Sequence, residues 1–87
     1  EICRQYERLG QERFEAAIPL HETVRAFQIV KEQIIAFVQE QMTTRTSMEL
    51  YAEEELEHRL AAFFDVVVYH LVRGYESAWH RARKAAA

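Results

Sequence analysis

From Met48 to Arg83 apolar and polar positions alternate with the period of an α-helix. At about 100° per residue, Leu56, Leu60, Phe63, Val67, Leu71, Gly74 and Ala78 fall on one side, and Phe64, Val68, Val72, Tyr75 and Trp79 widen it. The apolar sector covers about half the circumference, against the roughly 100° stripe of an ordinary surface helix. Such a helix must be covered from two directions. Asp65, Glu76, His58, Arg59, Arg73 and His80 lie opposite and face water. Thr46 followed by Glu49 has the spacing of a capping box, in which each side chain satisfies a free backbone NH of the first turn. Glu49, Glu53, Glu54, Glu55 and Glu57 crowd that end and Arg81, Arg83 and Lys84 the other, which suits the helix dipole. Val66-Val67-Val68 favours a strand only locally, and the helical spacing on both sides outweighs it. Gly74 marks a bend or a close helix crossing.

Upstream, Ile2, Tyr6, Leu9 and Ala16 or Ala17 share one side of an amphipathic helix predicted over Ile2 to Ala17, with Gly10 weakening it. Arg4 with Glu7 and Arg8 with Glu12 stand at pairing distance along it. Ile18-Pro19 ends this run, because the residue before proline is pushed toward extended geometry while proline fits the first turn of a new helix. A second helix is predicted from Pro19 to about Gln41. Its stripe is Leu20, Val24, Phe27, Ile34 and Val38, broadened by Val30, Ile35 and Phe37 and interrupted by Lys31, while Ile29 points elsewhere. Thr43 to Ser47 is a polar linker short enough to turn the second and third helices into an antiparallel hairpin. The third helix, roughly 55 Å long, outruns the second, so Leu71, Tyr75, Ala78 and Trp79 should project past the second helix's start and need cover from the first helix or a second chain.

Composition sharpens this picture. With 49% hydrophobic residues, two glycines and one proline among 87 residues, the chain is all-α and a single domain over residues 1–87. A chain of this size buries only a little over about 60% of its unfolded surface, and pairing two copies would relieve that marginal core. The net charge of −3 and the lack of a basic face argue against direct nucleic-acid binding. Cys3 is the one cysteine, so no internal disulfide forms, which fits a reducing, cytoplasmic setting. No apolar run is long enough to span a bilayer. The chain starts at Glu1 with no signal peptide in view, and we expect a piece of a longer protein.

Candidate chemistry is sparse. Glu55 and His58 form one Glu-x-x-His, the spacing that di-iron bundles use twice, but His58 falls on the polar side. His70 lies at the edge of the apolar face; as a haem or metal ligand it competes with the commoner role of a hydrogen-bonded core-edge histidine. His21-Glu22 with Arg25 faintly resembles the phosphorylated histidine box of sensor kinases, but no glycine-rich nucleotide motif accompanies it. Glu53-Glu54-Glu55 is expected to be a solvated cluster. Tyr51, Phe63, Phe64, Tyr69, Tyr75 and Trp79 are expected as core or dimer contacts, with an aromatic ligand pocket between helices as the lesser reading. No nucleophile–base pair and no phosphate loop is present, so no enzyme is expected and no cofactor.

At Ile18-Pro19-Leu20-His21-Glu22-Thr23-Val24-Arg25-Ala26, with Tyr51-Ala52-Glu53-Glu54-Glu55-Leu56 and Phe63-Phe64-Asp65, the chain resembles the N-terminal domain of RsbT co-antagonist proteins of the RsbRD type. In that family Ala17 would stand at a place where a small turn residue such as glycine is more usual. The resemblance implies a helical input module that dimerises and precedes an output domain in bacterial stress signalling, and it implies no catalytic residue. The expectation is a short N-terminal helix plus a long hairpin, dimerising into a four-helix bundle. Its core and dimer contacts are Leu56, Leu60, Phe63, Phe64, Val67, Leu71, Tyr75 and Trp79 on the third helix, and Phe27, Ile34 and Val38 on the second. Truncating Leu60 or Phe63 to alanine is then expected to cost about 2–5 kcal/mol.

Overall fold

The computed structural model describes residues 1–41 and 46–86. Three helices follow in order: α1 (Ile2–Glu15), α2 (Leu20–Gln41) and α3 (Ser47–Ala86), and the described residues contain no strand. The 40 residues of α3 run the length of a molecule measuring 61 × 21 × 15 Å. Its radius of gyration, 17.0 Å, exceeds the about 12 Å of a compact chain of this size.

The start of α3 is set by the reciprocal cap that Thr46 and Glu49 predict. The Thr46 amide donates to Glu49 Oε2 at 3.3 Å, and the Glu49 amide donates to Thr46 Oγ1 at 3.1 Å. Of the polar linker predicted from Thr43 to Ser47, Thr46 is the cap and Ser47 opens the helix; residues 42–45 lie outside the described residues.

The end of α1 is a left-handed cap. Ala17 sits at φ 59, the Ile18 amide donates to the Arg13 carbonyl at 3.0 Å, and the Ala17 amide donates to the Phe14 carbonyl at 2.9 Å. These bonds satisfy two carbonyls that a helix end leaves open. Pro19 then starts α2, its carbonyl accepting from the amides of Glu22 and Thr23. The Thr23 side chain, buried, donates to the same carbonyl at 3.4 Å.

Packing follows from where the small residues lie. Both glycines of the chain meet at the crossing of α1 and α3, and both are buried. A Cβ on Gly10 would overlap the Leu71 carbonyl oxygen and come within 2.8 Å of the Tyr75 nitrogen; one on Gly74 would overlap the Glu7 backbone. The two backbones therefore touch, and of the two uses that sequence allows for Gly74 the structure adopts the close crossing. Around it Val67, Leu71 and Ala78 are buried, with Phe64 one turn below Val67. Leu71 is 0% exposed. Tyr75 locks the arrangement: its ring stacks edge-to-face on Phe14 at 5.3 Å, and its hydroxyl donates to the Ile18 carbonyl at 3.0 Å.

α2 runs opposite to α3. Gln39 Nε2 donates to Glu57 Oε1 at 2.9 Å near one end, while Phe27, Gln28 and Lys31 face Phe64, Asp65 and Val68 further along. α1 runs in the same sense as α3, because Glu7 meets His70 while Phe14 meets Tyr75. At its early turns Tyr6 stacks edge-to-face on Phe27 of α2 at 6.2 Å. Helix α1 thus covers the part of α3 that outruns α2, as far as Ala78; Trp79 remains 44% exposed, with the Arg83 guanidinium 4.9 Å above its ring.

One expectation is corrected here. Glu53 is not part of a solvated cluster: it is 7% exposed. It stands seven residues before Leu60 and eleven before Phe64, which places it on the inward row of α3, whereas Glu54 and Glu55 turn outward.

Candidate interaction surface

The crossing of α1 with α3 ends halfway along the molecule, and a groove takes its place. On α2 the residues that face α1 include Thr23, Ala26 and Phe27. Helical repeats of seven and eight from these positions lead to Val30 and Ile34, and a further turn to Phe37. On α3, His70 and Gly74 face α1. Stepping back seven and eleven residues leads to Phe63, and seven more to Leu56, with Leu60 beside them. By that spacing the two rows continue the faces that α1 covers, and α1 is too short to reach them; this uncovered apolar stretch is called the trough below. Phe37 is 62% exposed and Phe63 44%. Val30, Ile34 and Leu56 are exposed too, while Leu60 is half-buried. Ile2, at the first turn of α1, is exposed as well.

Charge is scarce along it. The six positions are all apolar in a chain with 29% charged residues, the depletion that marks the core of a protein interface. The chain exposes 6611 Å², about 1,250 Å² more than the about 5,350 Å² at which a compact monomer of its mass falls. A standard interface removes about 800 Å² per partner, less than this excess, which accompanies the elongated shape.

The eleven residues singled out from sequence divide by depth. Phe64, Val67 and Leu71 form the buried centre between the three helices. Leu60, Tyr75, Phe27 and Val38 are half-buried at its margins. Leu56, Phe63, Trp79 and Ile34 keep a third or more of their surface in solvent. Val30 and Phe37, read from sequence only as broadening the α2 stripe, turn out to be as much a part of the trough as Ile34. Their spacing of seven from one another and from Thr23 is the signal that marks them.

The titratable candidates are held elsewhere. His70 Nδ1 lies 2.8 Å from Glu7 Oε2, half-buried beside the glycine crossing, so this pair joins α1 to α3. Glu7 spends its carboxylate there, across helices. Glu55 accepts from Arg59 Nε at 3.1 Å on the surface of α3, and His58 is exposed. His21 and Glu22 are exposed at the start of α2, and Arg25 pairs with Glu32 at 3.3 Å. Among the described residues no three or more His, Cys, Asp or Glu side chains converge as a metal site. The Cys3 thiol is pushed above its ordinary range, chiefly by a hydrogen bond with the Glu1 carboxylate, and Glu1 is held below its own by the same bond.

A cavity of about 150 Å³ opens between α2 and α3, lined by Phe27, Gln28, Lys31, Phe64, Asp65 and Val68. It is smaller than the roughly 300–1,000 Å³ of small-molecule sites; wider and more open depressions of about 340, 440 and 810 Å³ lie elsewhere on the surface. No described helix is long and apolar enough to cross a membrane. No protein-family model, curated protein or solved structure matches the chain.

Proposed function

We propose that the chain is a non-catalytic helical input and dimerisation module of a bacterial signalling or stress-response regulator. In this reading two copies bury their α2–α3 troughs against each other as a four-helix bundle, and a change in that packing is passed along α3 to an output domain. The observation that carries it is the unfilled apolar trough between Val30, Ile34 and Phe37 on one side and Leu56, Leu60 and Phe63 on the other. The apolar character of those six positions supports the same reading. The signalling context comes from the resemblance of the Ile18–Ala26 turn and the Tyr51–Leu56 segment to RsbRD-type input domains.

A packing change can carry a signal only if two arrangements differ in affinity for a ligand or partner. α3 is suited to that relay, because one continuous helix joins the trough to the glycine crossing and to the basic end at Arg81, Arg83 and Lys84. Light scattering of the purified chain at micromolar concentration should return twice 10.3 kDa. A folded monomer at that concentration overturns the reading.

A further inference from the structure

We propose that the cavity between α2 and α3 binds a small zwitterion, a free amino acid whose side chain is a single aromatic ring or a branched aliphatic chain. The cavity opens on the side of the hairpin away from the trough. Gln28 and Asp65, both exposed at its rim, stand about 160° round their helices from Val30 and Phe63. A second copy seated in the trough would leave it open, so the proposal does not depend on the dimer reading.

The charges come first. Lys31 interrupts the apolar stripe by which α2 meets α3, and it is half-buried. A lysine in such a place usually lays its stem over apolar surface and keeps its ammonium wet. Here the ammonium has an opposite charge close by, since Asp65 of α3 lines the same cavity. The two form no ion pair with each other, and among the described residues neither has any other ion pair or hydrogen bond. Two unlike charges from two helices thus border one space without neutralising each other. A ligand carrying both a carboxylate and an ammonium satisfies both: its carboxylate accepts from Lys31 and its ammonium donates to Asp65. An anion alone meets repulsion from Asp65 and a cation alone meets it from Lys31, which selects against both.

Size and polarity set the rest of the ligand. Phe64 is buried, and Phe27 and Val68 are half-buried, so the floor is apolar. The volume of about 150 Å³ falls short of a drug-sized site. It equals that of an apolar protein cavity, about 150 Å³, that takes up benzene. One ring or one branched side chain fills it, packed against Phe27 and Phe64. Because α2 supplies Phe27, Gln28 and Lys31 and α3 supplies Phe64, Asp65 and Val68, a bound ligand ties the two helices together and favours one arrangement of them.

Titration of the full chain with L-phenylalanine, followed by heteronuclear amide NMR, should give saturable shifts at Gln28, Lys31, Phe64, Asp65 and Val68. The expected dissociation constant is about 1 mM or tighter, within reach of a ligand of this size. Phenethylamine and hydrocinnamate, which each lack one charge, should bind at least about ten-fold more weakly, as should glycine, which lacks the ring. Lys31→Met keeps an apolar stem and removes the ammonium, and Asp65→Asn changes an exposed position. Both variants should keep the helical circular dichroism and lose at least about ten-fold in affinity. Weaker binding than this by both L-phenylalanine and L-leucine overturns the site, as does an affinity unchanged in the two variants. Hydrocinnamate or phenethylamine binding as tightly as L-phenylalanine overturns the zwitterion.

Discussion

Ala17 is under local strain, because an L-amino acid at φ 59 brings its Cβ against the following carbonyl. Its conformation is required all the same, since the Ile18 and Ala17 amides can reach the Arg13 and Phe14 carbonyls only if the chain turns there. Removing the Cβ relieves a penalty of about 1–2 kcal/mol, against about 0.5–1 kcal/mol of extra chain entropy for glycine. Ala17→Gly should therefore raise stability by about 0.5–1 kcal/mol in urea denaturation; no gain would mean that the turn is held differently. At the other end of α1, the Glu1 carboxylate disfavours the Cys3 thiolate. Alkylation of Cys3 should accordingly titrate at higher pH than a free thiol, and Glu1→Gln should move it back down. An unchanged titration would show that the hydrogen bond does not form in solution.

At the scale of the element, the cap and the crossing make opposite demands. Thr46→Ala removes one half of the reciprocal cap and should cost about 0.5–2 kcal/mol, read as a lower midpoint in thermal circular dichroism. Gly74→Ala sets two effects against each other. Alanine improves intrinsic helix propensity by about 1 kcal/mol, but its Cβ would overlap the Glu7 backbone, and a main chain cannot rotate aside as a flexible side chain does. Overpacking costs about 1–3 kcal/mol and acts here at its upper end, so the variant should be less stable by about 1–2 kcal/mol. A Gly74→Ala protein melting higher than the parent would show that α1 does not press on α3. Three helices and the start of α3 were legible from periodicity and the Thr46–Glu49 spacing, because both are local. Gly10 was not legible as a contact: within its own helix it reads only as a weak residue, and its purpose appears when Leu71 and Tyr75 arrive beside it.

Across the whole molecule, the distinction that matters is between apolar surface hidden inside one copy and apolar surface left for another. Leu71 is wholly enclosed, so Leu71→Ala should cost about 2–5 kcal/mol at any concentration. Phe63 is 44% exposed, and in a dilute monomeric sample Phe63→Ala should cost roughly half as much or less, since little more area is lost from cover. With association the loss at Phe63 grows. The melting temperature of the parent chain should also rise with protein concentration by mass action, and that of Phe37→Glu should not. A concentration-independent parent would remove the trough from the energetics of folding.

The residues by themselves determined that the chain is helical, where α3 begins, that Pro19 opens a second helix, and that α3 carries more apolar surface than one neighbour can cover. Each of these depends on spacing and on backbone preferences that act within a few residues. Only the tertiary structure decided how the broad face is shared. The two glycines let α1 lie against α3 at backbone contact, His70 is drawn to Glu7, Glu53 is turned inward, and α1 begins close to the Tyr6–Phe27 contact, so the α2–α3 face beyond it is left uncovered. Those outcomes join residues dozens of positions apart, and a helical period records which side a residue occupies but not how far along the neighbouring helix extends.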